Sequence, residues 1–450
     1  MFGSRSGKPS TPPRLAASAA AFALATLLAG CGGGDGSYNP LPAPASPAAP
    51  TPPADPAAPP APTPPADPTS PPAQTPPADP PPPAAPTPPG DLGPLYDFTE
   101  LGLPGITSGA VERQGIANGG LVAGTSVNAE GVSRAFFYNG TTNIDLGSFG
   151  GKDSSAQAIT RCGQVTGWAT TESGVQHAFL YDGSLHDLSA PGDGVSWGTA
   201  ISTCGKVAGY AVTAADAIHA FYHDGKTMRD LGTFGGETSA ATDVNSVGQV
   251  VGFAAIPDNT SHHAFLYDAR TGAPIQDIGA PGLGSVAIDI NEAGQVAVST
   301  NNADSVLHAF RYDASAGTLH DLGLLPDSQG SDPHAINAAG HVVGYVSYAD
   351  GRRVAFLHDG TAMRSLGTLS GGSSSEAYAI NAGGLVVGWA EGSVGQRAAA
   401  WGPGYGPVDL NERVKDLPAG VELVSALAVA DDGVIVVRTR NGLGLLRPRK

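Results

Sequence analysis

The stretch His177-Ala178-Phe179-Leu180-Tyr181 returns 42 residues later as His219-Ala220-Phe221, then as His263-Ala264-Phe265 and His308-Ala309-Phe310. A catalytic motif is needed once, so recurrence of this kind points to architecture. A period near 44 residues restricts the chain to stacked or ring-forming repeats, in which each unit buries its apolar face against the next. Four pieces recur in fixed order: a segment ending in Ile-Asn or Val-Asn, a Gln-Val-Val-Gly variant, His-Ala-Phe-Leu-Tyr, and x-Asp-Leu-Gly. Each is short, apolar and rich in Val, Phe and Tyr, with turn residues between, which reads as four strands per unit.

Between the first two strands a glycine stands in all eight copies, at Gly120, Gly163, Gly205, Gly248, Gly294, Gly340, Gly384 and Gly433. Four copies place Asn three residues earlier, at Asn245, Asn291, Asn337 and Asn381. Asn closing an Asx-turn followed by Gly in the left-handed region makes a tight hairpin. In a strand, Ala and Phe of His-Ala-Phe face opposite sides. A sheet buried on both faces needs a small residue where its neighbour presents a large one, and sheets of that kind with identical neighbours are propeller blades.

The chain enters the folded part with Leu95-Tyr-Asp-Phe-Thr-Glu-Leu-Gly102, which matches the fourth strand, and leaves with Gly442-Leu-Gly-Leu-Leu-Arg447, which matches the third. Pairing these ends closes a ring and removes its free edges. The fold class expected is therefore all-β: a β-propeller of eight four-stranded blades closed by an N-terminal strand and preceded by a Pro-rich stalk. An open solenoid and a seven-bladed ring with one eccentric unit are the alternatives. At these residues the sequence resembles the HAF-family extracellular repeat, over nearly all of 112–410 and more weakly beyond. The resemblance implies an exported bacterial repeat protein and supplies no catalytic residue or ligand. Val354 in place of His, Arg397-Ala-Ala, and Val298 in place of the Val-Val-Gly glycine depart from the pattern.

Composition divides the 450 residues into three zones: a signal over 1–30, a stalk over 31–93 and the propeller over 94–450. Arg5, Lys8 and Arg14 precede a short apolar run, as in an export signal. That run ends in Leu28-Ala29-Gly30-Cys31, which resembles the lipobox of bacterial lipoproteins; the resemblance implies cleavage before Cys31 and its lipidation. Several acyl chains on one residue anchor stably where one is marginal. By resemblance to the enterobacterial sorting rule for such lipoproteins, Gly32 rather than Asp after the Cys implies the outer membrane, on its periplasmic or outer side. The tract with TPPADP at 51–56, 63–68 and 75–80 is held in polyproline II by its prolines. At ~3.1 Å per residue it makes a spacer on the order of 150 Å long.

Outside the signal and the stalk, acidic residues exceed basic ones by fifteen, and no basic stripe occurs. That argues against nucleic acid and anionic membrane surfaces as partners. His177, His219, His263 and His308 occupy equivalent points of different blades, so they cannot converge on one metal ion at about 2 Å; each is expected to bond within its own blade. Phe-Gly-Gly at 149–151 and 234–236 lacks the Asp ligands of a calcium loop. The tryptophans, Trp168, Trp197, Trp389 and Trp401, lack the common position that stacking on a quinone cofactor needs. No cofactor, metal or catalytic constellation is expected.

The leading functional reading is a monomeric, lipid-anchored binding module without catalysis, with an unknown protein or glycan as ligand. An enzyme acting on extracellular glycan or peptide through the channel, and an outer-membrane assembly scaffold, are the alternatives. The strand four-to-one and two-to-three connections vary between copies and emerge on one face, the usual arrangement for recognition on a rigid scaffold. This places the expected ligand near Asp153, Trp197, Asp332, His334 and Glu376, with Trp197 as aromatic anchor. Cys162 and Cys204 precede the turn glycines of neighbouring units. Two readings stand: a disulfide between adjacent turns in an oxidising compartment, or two small thiols filling one repeat slot.

Overall fold

The computed structural model describes residues 95–103, 105–189, 194–280, 284–301 and 306–449. The signal, Cys31 and the Pro-rich stalk lie outside the described residues. Eight antiparallel sheets follow one another in a ring, a β-propeller of eight four-stranded blades. In chain order the blades span 106–145, 150–187, 196–232, 239–277, 285–321, 330–365 and 375–409. The eighth joins Leu423–Val429, Ile435–Thr439 and Leu443–Pro448 to the N-terminal strand Tyr96–Leu101. That strand pairs antiparallel with Leu443–Pro448, from Tyr96 opposite Pro448 to Leu101 opposite Leu443, and closes the ring. First strands of successive blades touch one another, so they line the central channel.

The turn glycines behave as the sequence requires. All eight have positive φ, from 68° at Gly120 to 88° at Gly248. Asn245 Oδ1 accepts the Gln249 amide at 3.0 Å, closing its turn. The other side of the same amide group carries a role that sequence reasoning missed. Asn245 Nδ2 donates to the Asn291 carbonyl, Asn291 to that of Asn337, Asn337 to that of Asn381, and Asn381 to that of Ala430. Four Asn side chains thus lace five consecutive blades together on the tight-turn face.

His-Ala-Phe is a four-part fitting. The His reaches the Asp of Asp-Leu-Gly in its own blade: His177 Nδ1 to Asp187 at 2.8 Å, His219 to Asp230, His263 to Asp277 and His308 to Asp321. Where the first blade has Arg134, that residue pairs with Asp145, and where the seventh has Arg397 it pairs with Asp409. In the sixth blade, Val354 faces a strand bearing Ser365 instead of Asp, so both partners have changed. The Ala amide is satisfied by a buried serine of the next blade, as in Ala220 N to Ser239 Oγ at 2.8 Å; six blades repeat this bond. The Ala side chain stands opposite a variable residue of strand two, Ala178 against Trp168 and Ala264 against Phe253, and makes room for it.

The Phe ring lies over the Val-Val-Gly glycine. Gly252 pairs with Phe265, and a β-bulge between Ala241 and Asp243 brings strand one close behind it. A Cβ on Gly252 would stand 2.0 Å from the Ala240 carbonyl oxygen and 2.9 Å from the Phe265 ring. Gly167, Gly209, Gly344 and Gly388 meet the same carbonyl within 1.9–2.0 Å. The eighth blade inverts the fitting, with Val437 opposite Gly444 and the Phe98 ring filling the space above that glycine.

The disulfide considered for Cys162 and Cys204 is not formed: both are exposed free thiols. In blades two, four and five the residue after the turn glycine meets the neighbouring turn. Gln164 packs against Gly205, just as Gln249 packs against Gly294 and Gln295 against Gly340. The preceding position, where the cysteines stand, is left facing solvent.

Candidate functional site

One layer of the ring does not repeat. At the position after the Val-Val-Gly glycine, and at its strand-one partner, the eight blades carry Thr125 with Ala110, Trp168 with Ser155, Tyr210 with Trp197, Phe253 with Ala240, Ser299 with Val286, Tyr345 with Asp332, Trp389 with Glu376, and Arg438 with Ser425. Everything around these pairs is repetitive, yet they sort into two arcs. Blades two to four supply an aromatic and apolar arc; blades six to eight supply the charges. The pairs lie toward the start of strand one, the end fed by the variable connections.

In the apolar arc Trp168 stacks on Trp197, with ring centroids 5.2 Å apart and planes at 24°. Trp197 also meets Tyr210 at 5.6 Å, and its indole N–H donates to Gln176 Oε1 at 3.0 Å. Trp168 and Trp197 are both half-buried, so the aromatic surface expected at Trp197 is shared between two stacked indoles. Asp153 is also set apart, because its carboxylate accepts the Ser133 amide at 3.0 Å across a blade seam.

Asp332, His334 and Glu376 do converge. His334 Nδ1 donates to the Ala377 carbonyl at 3.0 Å, so this nitrogen carries a proton. Nε2 then faces Glu376 Oε1 at 3.6 Å, with both side chains buried. The His334 ring contacts Tyr345 edge-on at 5.5 Å and Tyr378 at 5.8 Å. Asp332 accepts from Ser299 at 2.7 Å and from the Tyr345 hydroxyl at 3.4 Å. Desolvation, reinforced by nearby carboxylates, raises the phenol pKa of Tyr345 and of Tyr378, so both are neutral donors. Sequence reasoning named the acids and the histidine here. It missed Tyr345, Arg353, Tyr378 and Trp389, whose only signal was divergence at positions where the repeat is otherwise regular.

Deeper in the channel a plug crosses the axis. The first strand of blade one is broken into Ile106–Ala110 and Ile116–Ala117, and the intervening residues leave the sheet. From this excursion Arg113 donates to the carbonyl oxygens of His334 at 2.5 Å and Ile288 at 3.0 Å, in blades six and five. Its guanidinium lies 3.7 Å from Asp289. Gln114 Nε2 donates to Asp243 of blade four at 2.6 Å. Asp243 is buried; desolvation, then the neighbouring Asp289 carboxylate, push its pKa well above the usual carboxylate range. Glu112 opens onto the channel while ringed by protein, and desolvation raises its pKa against the opposing pull of Arg113 and Arg438.

No family model and no curated protein matches this chain. Solved β-propellers align with it weakly. An oligogalacturonate lyase from Vibrio parahaemolyticus is 11% identical over 60% of this chain and 85% of that one, with a TM-score of 0.42. The β-propeller domain of the Trilobed protease from Pyrococcus furiosus is 10% identical over 58% and 84%, with a TM-score of 0.40. A lectin from Burkholderia pseudomallei is 11% identical over 68% and 99%, with a TM-score of 0.37. Likeness of this size says nothing of what this chain binds or cleaves.

Proposed function

We propose that this chain is an exported binding module, tethered through lipidated Cys31, that holds its ligand at the loop-bearing mouth of the channel without transforming it. The observation that carries the reading is the plug. Arg113 and Gln114 span the axis to blades four, five and six, an obstruction that favours entry of a ligand from the loop-bearing side. The non-repeating layer lies above that obstruction, where variation between copies alters the pocket and spares the scaffold. Two arcs of different chemistry suit a ligand with an apolar and a polar side. The test is a screen of peptides and glycans against the wild type and two variants, Trp168→Ala in the mouth and Val247→Ser on the tight-turn face. Loss of capture confined to the mouth variant supports the reading; loss confined to the turn variant overturns it.

The enzyme reading draws on one observation, the buried His334–Glu376 pair with its fixed tautomer. A captured ligand recovered chemically altered, with alteration abolished by His334→Gln, decides for that reading. Protease accessibility of the propeller in intact cells separates a surface module from a periplasmic scaffold.

A further inference from the structure

The charged arc holds a cation of its own. Arg353 opens strand three of blade six and places its guanidinium 4.5 Å from the centre of the Tyr345 ring. One nitrogen reaches Glu376 Oε2 at 3.3 Å. Glu376 is buried, with a side chain 7% exposed, whereas the arginine is 49% exposed. His334 and Tyr378 form the adjoining walls, and Trp389, hydrogen-bonded to Tyr378, stands opposite Glu376 in the sheet. The enclosure is a carboxylate at the back of an aromatic box, with a mobile-stemmed cation inserted from the open side. Arg353 retains a raised pKa despite desolvation, through Tyr345 and Glu376.

The same position in other blades shows how unusual this is. The residue equivalent to Arg353 is Ser133, Gln176, Ile218, His262, Leu307 or Gln396. In blade two, Gln176 reaches Trp197, the equivalent of Glu376. The repeat therefore supplies a fixed reach from strand three to the next blade's strand one. Among the described residues compared, this reach alone is filled by a cation and an acid. Asp332 accepts from the hydroxyl of the same Tyr345 whose ring carries the guanidinium, so a second carboxylate borders the box.

We propose that this box recognises a cationic side chain, the arginine or lysine of a partner peptide, and that Arg353 is an internal occupant which the ligand displaces. A face of Tyr and Trp attracts a desolvated cation through the ring quadrupole, and a buried carboxylate fixes its position. The fifteen-charge acidic excess outside the signal and stalk steers basic peptides toward the mouth. The half-exposed arginine withdraws toward solvent at little cost, because its long stem leaves the head free to move. This inference rests on the reading of the mouth as the binding site and names the ligand's chemistry.

The test uses the purified full chain in detergent and a blocked Gly-Arg-Gly peptide, followed by calorimetry and tryptophan fluorescence. Wild type is expected to bind weakly, with affinity that falls as salt is raised. Arg353→Ala removes the internal competitor and is expected to tighten binding at least tenfold. Glu376→Gln is expected to abolish it. If Glu376→Gln melts early, Tyr345→Leu, which removes one wall and leaves the buried acid, provides the same loss. The same peptide with citrulline in place of arginine is expected not to bind. No binding to Arg353→Ala at millimolar peptide, or equal binding of the citrulline peptide, overturns the proposal. If a different ligand is captured at the mouth and lost in Trp168→Ala while basic peptides fail, the cation box is wrong and the binding-module reading stands.

Discussion

Arg113 Nη2 donates to the Ile288 carbonyl at 3.0 Å, joining the first blade to the one opposite it in the ring. Contacts between neighbouring blades are what any propeller requires; a bond across the axis is not. It follows from a local defect, the broken first strand of blade one, and it puts side chains across the axis of the channel.

Replacing Arg113 by Ala leaves the His334 and Ile288 carbonyl oxygens without this donor and removes the cation 3.7 Å from Asp289. Stability is expected to fall by about 1–3 kcal/mol, as for other unsatisfied buried groups. Lysine should recover only part of this, because an ammonium does not reproduce the planar fork that serves two acceptors. Chemical denaturation of the three proteins measures both effects; an unchanged midpoint for Arg113→Ala would show that the plug is ornamental.

Asp243 gives the plug a pH dependence with a definite sign. Its folded pKa is raised, whereas the unfolded value is about 3.9. The native state therefore keeps a proton that the unfolded chain releases. The resulting stabilisation is fully present below about pH 4 and is lost as pH rises through the folded value. Asp243→Asn mimics the protonated form and should flatten this part of the stability profile. Relative to wild type it should gain stability as pH rises. A variant whose profile runs parallel to wild type from pH 4 to 9 contradicts the assignment.

The glycine of Val-Val-Gly is expected to be intolerant for a reason unrelated to φ. In Gly252→Ala the new methyl meets the Ala240 carbonyl oxygen, and relief requires moving strand one, at about 3 kcal/mol or more. Gly351, in an open turn with φ of 84° and nothing within 4 Å, should cost about 1–2 kcal/mol on the same change, from backbone strain alone. Melting curves that rank the two the other way would show that the bulge relaxes easily.

Blade six lacks the His–Asp pair of blades two to five, and both partners are absent together. Restoring them as Val354→His with Ser365→Asp is expected to show a favourable coupling of about 0.5–1 kcal/mol in a double-mutant cycle. Each single change should be neutral or unfavourable. Zero coupling would mean that the recurring pair reflects shared descent and carries no energetic role.

The fold was legible because its determinants are local and repeated eight times. Gly248 marks a turn, Ala264 and Phe265 mark a strand with unequal faces, and the mismatched ends at Leu95 and Leu446 imply closure. The site was legible only in part. Asp332, His334 and Glu376 lie on variable connections and strand starts, where divergence can be seen. The sequence shows an indole at Trp197 but not that it stacks on Trp168 and meets Tyr210, which are contacts between strands. Arg113 was invisible for a more basic reason. Its partners Asp243, Ile288 and His334 lie between 129 and 221 positions from the plug residues that reach them, and no spacing rule within one repeat reports on a contact across the ring.

The most direct measurement of the central claim, that ligand enters one mouth and stops at the plug, is hydrogen exchange on the full chain with and without a ligand recovered from the screen. Protection is expected at the starts of strand one in blades six and seven, around Asp332 and Glu376, and in the connections that feed them. The tight turns at Gly248, Gly294 and Gly340 should exchange at unchanged rates. Protection centred on those turns, or spread equally over both faces, would contradict the account.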